Sequence, residues 1–284
     1  MKTIDRIAIQ LDDAGISSSL KHKWEGLIHE LAAYHSAVVA YSGGVDSTFL
    51  AYTAAQVLGE QMTAVIVVST LETPETLKAA TDFAKQYGIK HAAIPYDPLQ
   101  SPGFRSNPTD RCYICKTQML HELWSYARQH ACQVVLEGQN ADDRNDYRPG
   151  SKAVEETGTL SLLAHHGITK AEIRCLAKTL GLSTWDKPSS PCLATRIPYG
   201  TTITEGILRQ IAQAEHYLHQ NGFKLVRVRY HNELARLEID PAQMPALLGM
   251  REDLVDFFKQ IGFTYIALDL QGYRLGSMNE RLSL

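Results

Sequence analysis

Apolar residues recur at helical spacing near the start of the chain, at Leu20, Trp24, Leu27, Ile28, Leu31 and Tyr34, and predict a helix ahead of the first strand. The pattern then changes to short, uninterrupted apolar runs at 37–41 (Ala-Val-Val-Ala-Tyr), 64–68, 91–95 and 134–137. Runs of that length without polar alternation predict strands buried on both faces. The stretches between them carry apolar residues on one face only. They predict helices from Ser47 to about Leu58, over Pro74–Tyr87 and over Lys116–His130. Strands alternating with helices predict a parallel α/β sheet, whose ligands gather at the carboxyl ends of the strands.

Beyond this the pattern loosens. Thr169 with Glu172 three residues on is a capping box, starting a helix over Thr169–Leu180. Residues 183–203 hold three prolines, several hydroxyl residues, Cys192 and Arg196 and show no periodicity. A long irregular segment of this kind is usually functional or a linker. The order then becomes helix (Glu205–Asn221), strand (Phe223–Tyr230), strand (Leu234–Ile239), helix (about Leu247–Ile261) and strand (Thr264–Leu270). The expected organisation is an α/β domain over 1–182, a connecting segment carrying site residues over 183–203, and a smaller α+β domain over 204–284.

Composition narrows the class. The 284 residues suffice for two domains, and a net charge of −3 gives no overall field to recruit nucleic acid. No apolar stretch approaches the ~20 residues a membrane-spanning helix needs. The first residues, Met-Lys-Thr-Ile-Asp-Arg, lack the form of a signal peptide. Five cysteines with no export signal argue for a reducing compartment, so a cytoplasmic protein is expected.

The most informative string is Ser42-Gly-Gly-Val-Asp-Ser-Thr48, directly after the first strand. Gly43 and Gly44 are expected to reach φ > 0 and let backbone approach an anion. Ser47 and Thr48 are expected to open a helix whose N–H groups and dipole face the same point. Ser42 and Ser47 add hydroxyl donors, and Asp46 can cap the helix or hold a metal ion. This string resembles the PP-loop of the ATP pyrophosphatases, which implies that ATP is bound and split at its α-phosphorus.

Cys112 and Cys115 form a CxxC expected just before a helix, and Cys192 stands alone in the irregular segment. The residues themselves leave four readings open: structural zinc, a redox pair, two ordinary loop cysteines, or, with Cys192, three thiolates on a 4Fe–4S cluster with one open iron. Cys132 and Cys175 read as packing residues, and His165, His166 and His231 as surface or core histidines. Arg227 and Arg229 alternate on a strand and so share a face.

Three further strings follow the loop in order: Gly138-Gln-Asn-Ala-Asp-Asp-Arg-Asn-Asp-Tyr-Arg-Pro-Gly150, Arg196-Ile-Pro-Tyr-Gly-Thr-Thr202 and Val226-Arg-Val-Arg-Tyr-His-Asn232. Together with the loop they closely resemble the LarE family, ATP-dependent sulfur-insertion enzymes of nickel-pincer nucleotide cofactor synthesis. The resemblance runs from about residue 20 to 279. It implies adenylation of the carboxylates of pyridinium-3,5-biscarboxylic acid mononucleotide, followed by sulfur displacing AMP to leave thiocarboxylates.

On that resemblance Arg227 and Arg229 bind the substrate phosphate, Arg196 neutralises the adenylate or a carboxylate, and Glu215 matches an acidic position. Asp142 reaches the Mg2+ of ATP, with Asp146 and Arg148 in the same string, and Gly138 lets the chain pass close to the nucleotide. Some members sacrifice a cysteine five residues ahead of the arginine. Here that position is Pro191, with Cys192 four ahead, and such members lack the CxxC. Both departures resemble the branch in which Cys112, Cys115 and Cys192 hold a 4Fe–4S cluster.

The alternatives are single-turnover donation from Cys192, a cluster-dependent tRNA thiolase, and a regulatory subunit that senses ATP. The expected partner is a small nucleotide, with neither nucleic acid nor membrane, in a homo-oligomer. The chain does not reveal its sulfide source.

Overall fold

The computed structural model describes residues 15–145, 149–188, 191–274 and 277. The chain divides into two compact units, residues 1–97 with 110–190, and residues 98–109 with 191–284.

In the first unit, α1 (Ser18–Ala32) is capped by Ser17 and buries Leu20, Trp24, Leu27 and Leu31. There follow β1 (Ala37–Ala40), α2 (Val45–Leu58), β2 (Met62–Val68), α3 (Pro74–Gln86) and β3 (His91–Pro95). Next come α4 (Arg111–Gln129), β4 (Val134–Leu136), α5 (Pro149–Thr157) and α6 (Lys170–Thr179). The four strands are parallel in the order β3-β2-β1-β4, with Ala37 opposite both Met62 and Val134.

The strand period of two sorts the apolar runs into two cores. Val39, Ala64, Ile66 and Leu136 face one with α1, α2 and α6, while Val38, Val65 and Val135 face the other with Leu120, Leu123 and Ala153. Burial on both faces is why β1, β2 and β4 lack polar alternation, whereas β3, at the edge of the sheet, is half-buried to exposed and not the buried strand expected over 91–95. β1 has β2 on one side and β4 on the other, so the chains leaving β1 and β4 diverge at a topological switch point, where such sheets bind ligands.

The second unit contains α7 (Glu205–Gln220), β5 (Val226–His231), β6 (Leu234–Ile239), α8 (Met244–Gly249), α9 (Arg251–Gln260) and β7 (Tyr265–Leu268). β5 and β6 are antiparallel, and β6 and β7 parallel. One face, with Val226, Val228, Leu237 and Ile239, packs on Leu218, Phe258 and Phe263. The architecture is therefore the expected α/β parallel-sheet domain with a smaller α+β unit.

Several boundaries differ from expectation. α4 begins at Arg111 rather than Lys116, because the Tyr113 and Ile114 N–H groups already bond the Asp110 carbonyl at 2.8 and 3.2 Å. Cys112 and Cys115 therefore lie within the helix and not before it. The helix expected over 247–261 is two helices broken at Met250 (φ −106°, ψ 21°), which ends one and caps the next. Residues 98–109 join the second unit through bonds that no local pattern encodes. Gly200 N–H reaches the Asn107 carbonyl at 2.9 Å, and Ile203 N–H reaches that of Arg105 at 2.8 Å. Cys175 is exposed on α6 and is not a packing residue, since the apolar stripe of that helix runs through Ile173, Leu176 and Ala177. Cys132 is half-buried against the second core. Among the described residues, no helix is long and apolar enough to cross a membrane.

Candidate functional site

The PP-loop string leaves β1 at Tyr41, whose phenol donates to the Ala80 carbonyl at 3.0 Å and whose pKa burial pushes up to about 12. Gly43 turns the chain at φ +71°, with its backbone so close to α3 that a Cβ there would stand 2.8 Å from Ala80 Cβ. Gly44 differs from expectation. Its φ is −74° and ψ 160°, extended backbone at the N-cap of α2, so only the first glycine needs the left-handed region.

α2 starts at Val45, two residues earlier than expected, and no side chain caps it. Its first-turn N–H groups and dipole are thus left to a ligand, an arrangement suited to phosphate. Ser42 and Ser47 brace the turn with their Oγ atoms 3.0 Å apart, and Ser47 Oγ donates to the Gly44 carbonyl at 3.2 Å. Thr48 is fully buried beneath them.

Asp46 does not cap the helix. Its Oδ2 accepts from Lys170 Nζ at 2.6 Å, while Oδ1 is buried without a well-formed hydrogen bond. Burial raises the Asp46 pKa against the pull of Lys170, and Asp143 adds to the rise. A buried carboxylate oxygen short of a partner beside a phosphate-binding turn is a fitting ligand for Mg2+.

Gly138, at the end of β4, approaches protein backbone. A Cβ there would lie 3.0 Å from Ser47 N and 3.1 Å from Ser47 Cα, so the glycine lets the β4 loop pack against the start of α2. Asp142 is exposed and its Oδ2 accepts the Lys170 N–H at 2.8 Å, fixing the first turn of α6. Asp146 and Arg148 lie outside the described residues.

Sequence reasoning missed a set of cations. Lys170, Arg174 and Lys178 sit four residues apart on α6. Lys170 holds Asp46, Arg174 donates to the Trp185 and Lys187 carbonyls at 2.7 Å each, and Lys178 lies 4.7 Å over the Trp185 ring. Lys187 in turn donates to the Gly43 carbonyl at 2.9 Å, and burial lowers its pKa. The i, i+4, i+8 spacing was the available signal. Lys116, directly after the CxxC, reaches buried Glu137 at 2.8 Å. Glu137 also takes the Ser161 hydroxyl and, at 3.0 Å, the Gln139 N–H. Cys112 is exposed. Cys115 is half-buried with Tyr96, whose hydroxyl reaches the Cys115 carbonyl at 3.2 Å.

In the second unit, Cys192 precedes a 3-10 turn, Leu193–Arg196. Arg196 is buried and pairs bidentately with Glu215, Nε to Oε1 at 2.9 Å and Nη2 to Oε2 at 2.8 Å. Its Nη1 donates to the carbonyls of Pro191 (2.7 Å) and Cys192 (3.2 Å) and to Thr195 Oγ1 (2.8 Å). Glu215 Oε1 also takes the Val228 N–H at 2.9 Å. The face of β5 carrying Arg227 and Arg229 is buried, not solvated. Arg229 bonds Glu238 at 2.7 Å, Ser277 at 2.8 Å and the Thr195 carbonyl at 3.0 Å. Arg227 lies 5.1 Å from the Tyr273 ring centroid. Burial lowers its pKa, then the charge of Arg196, with Glu215 and Tyr273 opposing and Arg229 adding a further push. Among the described residues, three buried guanidiniums, those of Arg196, Arg227 and Arg229, thus lie with two buried carboxylates, Glu215 and Glu238.

Residues 18–109 match the family model for NAD synthase. The chain is 27% identical over 198 residues to an NH3-dependent NAD+ synthetase of Hyperthermus butylicus, covering 65% of this chain and 68% of that protein. It is 40% identical over 266 residues to an uncharacterised protein of Synechocystis, covering 93% and 99%. It is 37% identical over 267 residues to the pyridinium-3,5-bisthiocarboxylic acid mononucleotide synthase of Lactiplantibacillus plantarum, covering 94% of this chain and 97% of that protein. The NAD synthase match covers the phosphate-binding turn with β1, β2 and β3, whereas the last two alignments span almost the whole chain. This chain therefore belongs to the LarE family, that of the pyridinium-3,5-bisthiocarboxylic acid mononucleotide synthase.

Proposed function

We propose that this chain uses ATP to activate the carboxylates of pyridinium-3,5-biscarboxylic acid mononucleotide and replaces the activated oxygen with sulfur. The observation that carries the reading is the uncapped start of α2 against the Gly43 turn, with Asp46 Oδ1 buried beside it. A substrate carboxylate oxygen attacks the α-phosphorus, and the bond to pyrophosphate breaks. The turn and the helix N–H groups hold the departing pyrophosphate, Asp46 holds Mg2+, and Lys187 and Lys170 are the nearby cations. A sulfur nucleophile then attacks the acyl carbon and AMP leaves, taking the electron pair of the broken C–O bond.

The remaining roles follow from charge and position. Arg227 and Arg229, two guanidinium forks on one strand face, take the substrate phosphate. Arg196 and Glu215 act as positioning residues that fix the segment bearing Cys192. Gly138 and Asp142 act by building the turn and the first turn of α6. Among the described residues, Cys112, Cys115 and Cys192 are in no disulfide. The CxxC places two soft donors three residues apart on one helical turn, a donor set that fits a 4Fe–4S cluster. When bound, the cluster would supply sulfide at an iron that carries no protein ligand. A cytoplasmic setting, which keeps thiols reduced, belongs to the same reading.

Two measurements test it. Incubation with ATP, the dicarboxylate nucleotide and a sulfide source should release AMP and pyrophosphate in equal amounts, and neither without the nucleotide. Formation of ADP and phosphate, or nucleotide-independent pyrophosphate, would remove the proposal. Separately, protein purified without oxygen should be brown and hold about four iron atoms per chain, the content of one 4Fe–4S cluster. Alanine at Cys112, Cys115 or Cys192 should each bleach it. Colourless protein that turns over once, with Cys192 converted to dehydroalanine and so lighter by the elements of hydrogen sulfide, would replace the cluster with sacrificial donation.

A further inference from the structure

We propose that Glu30, His165 and His166 form a binding site for one divalent transition-metal ion of the zinc type. They share no residue with the phosphate-binding turn or the cysteines. Glu30 lies in the last turn of α1, and the two histidines close the single helical turn Leu162–His165. His165 Nδ1 is 3.0 Å and His166 Nε2 2.7 Å from the same oxygen, Glu30 Oε2. The three candidate ligand atoms all lie within 4.8 Å of one another.

Three features distinguish the arrangement from an incidental ion pair. Both imidazoles converge on one carboxylate oxygen, although one would suffice for a hydrogen bond. Their backbones are fixed, His165 N–H to the Ser161 carbonyl at 2.9 Å and His166 N–H to that of Leu162 at 3.0 Å. The other oxygen of Glu30 takes the Tyr34 hydroxyl at 3.2 Å, the outer hydrogen bond that commonly orients a ligating carboxylate.

Gly26 supplies an independent observation. It lies in the interior of α1, one turn before Glu30, where glycine is among the least favoured residues. A Cβ there would stand 2.8 Å from His166 Nδ1, so the glycine makes room for this ring.

Two imidazoles and a carboxylate are a donor set for zinc and its neighbours in the first transition row. Zinc would stand ~2.0–2.2 Å from each donor, and rotation of the side chains would gather the three atoms, within 4.8 Å of one another, around it. His165 is 66% exposed, which leaves a solvent-side position for water as a further ligand. A bound ion would clasp α1 to the segment leading into α6.

The test uses the full-length chain stripped with chelator and titrated with cobalt(II), a spectroscopic stand-in for zinc, and with zinc by calorimetry. One equivalent should bind with visible d–d bands and no thiolate-to-cobalt charge-transfer band. The signal should persist in C112S/C115S. Outer partners of ligating groups alone are worth about 10–100-fold in affinity, so His165→Gln and Glu30→Gln should each weaken binding by more than that. His165→Gln alters an exposed side chain and should fold normally. Gly26→Ala, which crowds His166, should also weaken binding. Unchanged affinity in His165→Gln and Glu30→Gln, or a cobalt signal lost with the cysteines, would overturn the site.

Discussion

Gly43→Ala should unfold more readily than the native chain by on the order of 2–5 kcal/mol and should lose ATP-dependent pyrophosphate release. Two costs combine. A residue with a Cβ held at φ +71° costs roughly 1–2 kcal/mol. The added methyl would also stand 2.8 Å from Ala80 Cβ and 3.2 Å from Ala80 Cα, a contact that α3 can relieve only by moving. Overpacking of that kind costs about 1–3 kcal/mol. Gly44→Ala is the matched control, since φ is −74° there and a Cβ would meet only Ser42 Oγ at 3.5 Å, ordinary contact. Its effect on stability should be about 1 kcal/mol or less, the scale of an N-cap change. The double variant Gly43→Ala/Ala80→Gly relieves the contact with Ala80 Cβ but keeps the strained φ, and a glycine inside α3 itself costs about 1 kcal/mol, so it should recover at most part of the loss. Urea unfolding of the four proteins measures each term. Equal midpoints for the two single alanine variants would contradict the argument.

That pair of glycines shows where sequence reasoning reached and where it stopped. The string 42–48 located the turn, because a strand, two glycines and a helix start are local features. It did not separate Gly43 from Gly44, since the difference is set by Ala80 on another helix. The parallel sheet was legible for a similar reason: each buried strand is one apolar run, and both faces need covering. The helix break at Met250 and the join of residues 98–109 to the second unit were not legible, as both depend on backbone bonds rather than on periodicity.

Charge behaved likewise. Arg227 and Arg229 were placed on one face correctly, but alternation alone could not say that the face is buried or that Glu238 lies diagonally across from Arg229. Glu215 was legible as a match to an acidic position, but nothing local said that it accepts from Arg196 and from the Val228 backbone at once. Lys187 lay in a segment without periodicity, and only the fold brings its ammonium to the Gly43 carbonyl.

Arg196→Met should cost about 3–5 kcal/mol and abolish sulfur transfer, and the two losses should be separable. Arg196 is 2% exposed and Glu215 is 7% exposed. Removing the guanidinium therefore takes from a buried carboxylate both of its charged hydrogen bonds, leaving the Val228 N–H and the nearby charge of Arg227. Stranding one partner of a buried ion pair costs on that scale, whereas replacing both with apolar groups of similar volume is often neutral. Arg196→Met/Glu215→Leu should therefore regain most of the lost stability in urea. It should not regain activity, because Arg196 Nη1 also ties down the carbonyls of Pro191 and Cys192 and the hydroxyl of Thr195. Neither apolar side chain can replace those bonds, so the segment carrying Cys192 would be held less firmly. Arg196→Lys keeps the charge but loses the two-pronged contact, and should fall between the native chain and Arg196→Met in both measurements. A double variant that recovered sulfur transfer together with stability would reduce the Arg196–Glu215 pair to a packing element and remove its role in positioning Cys192.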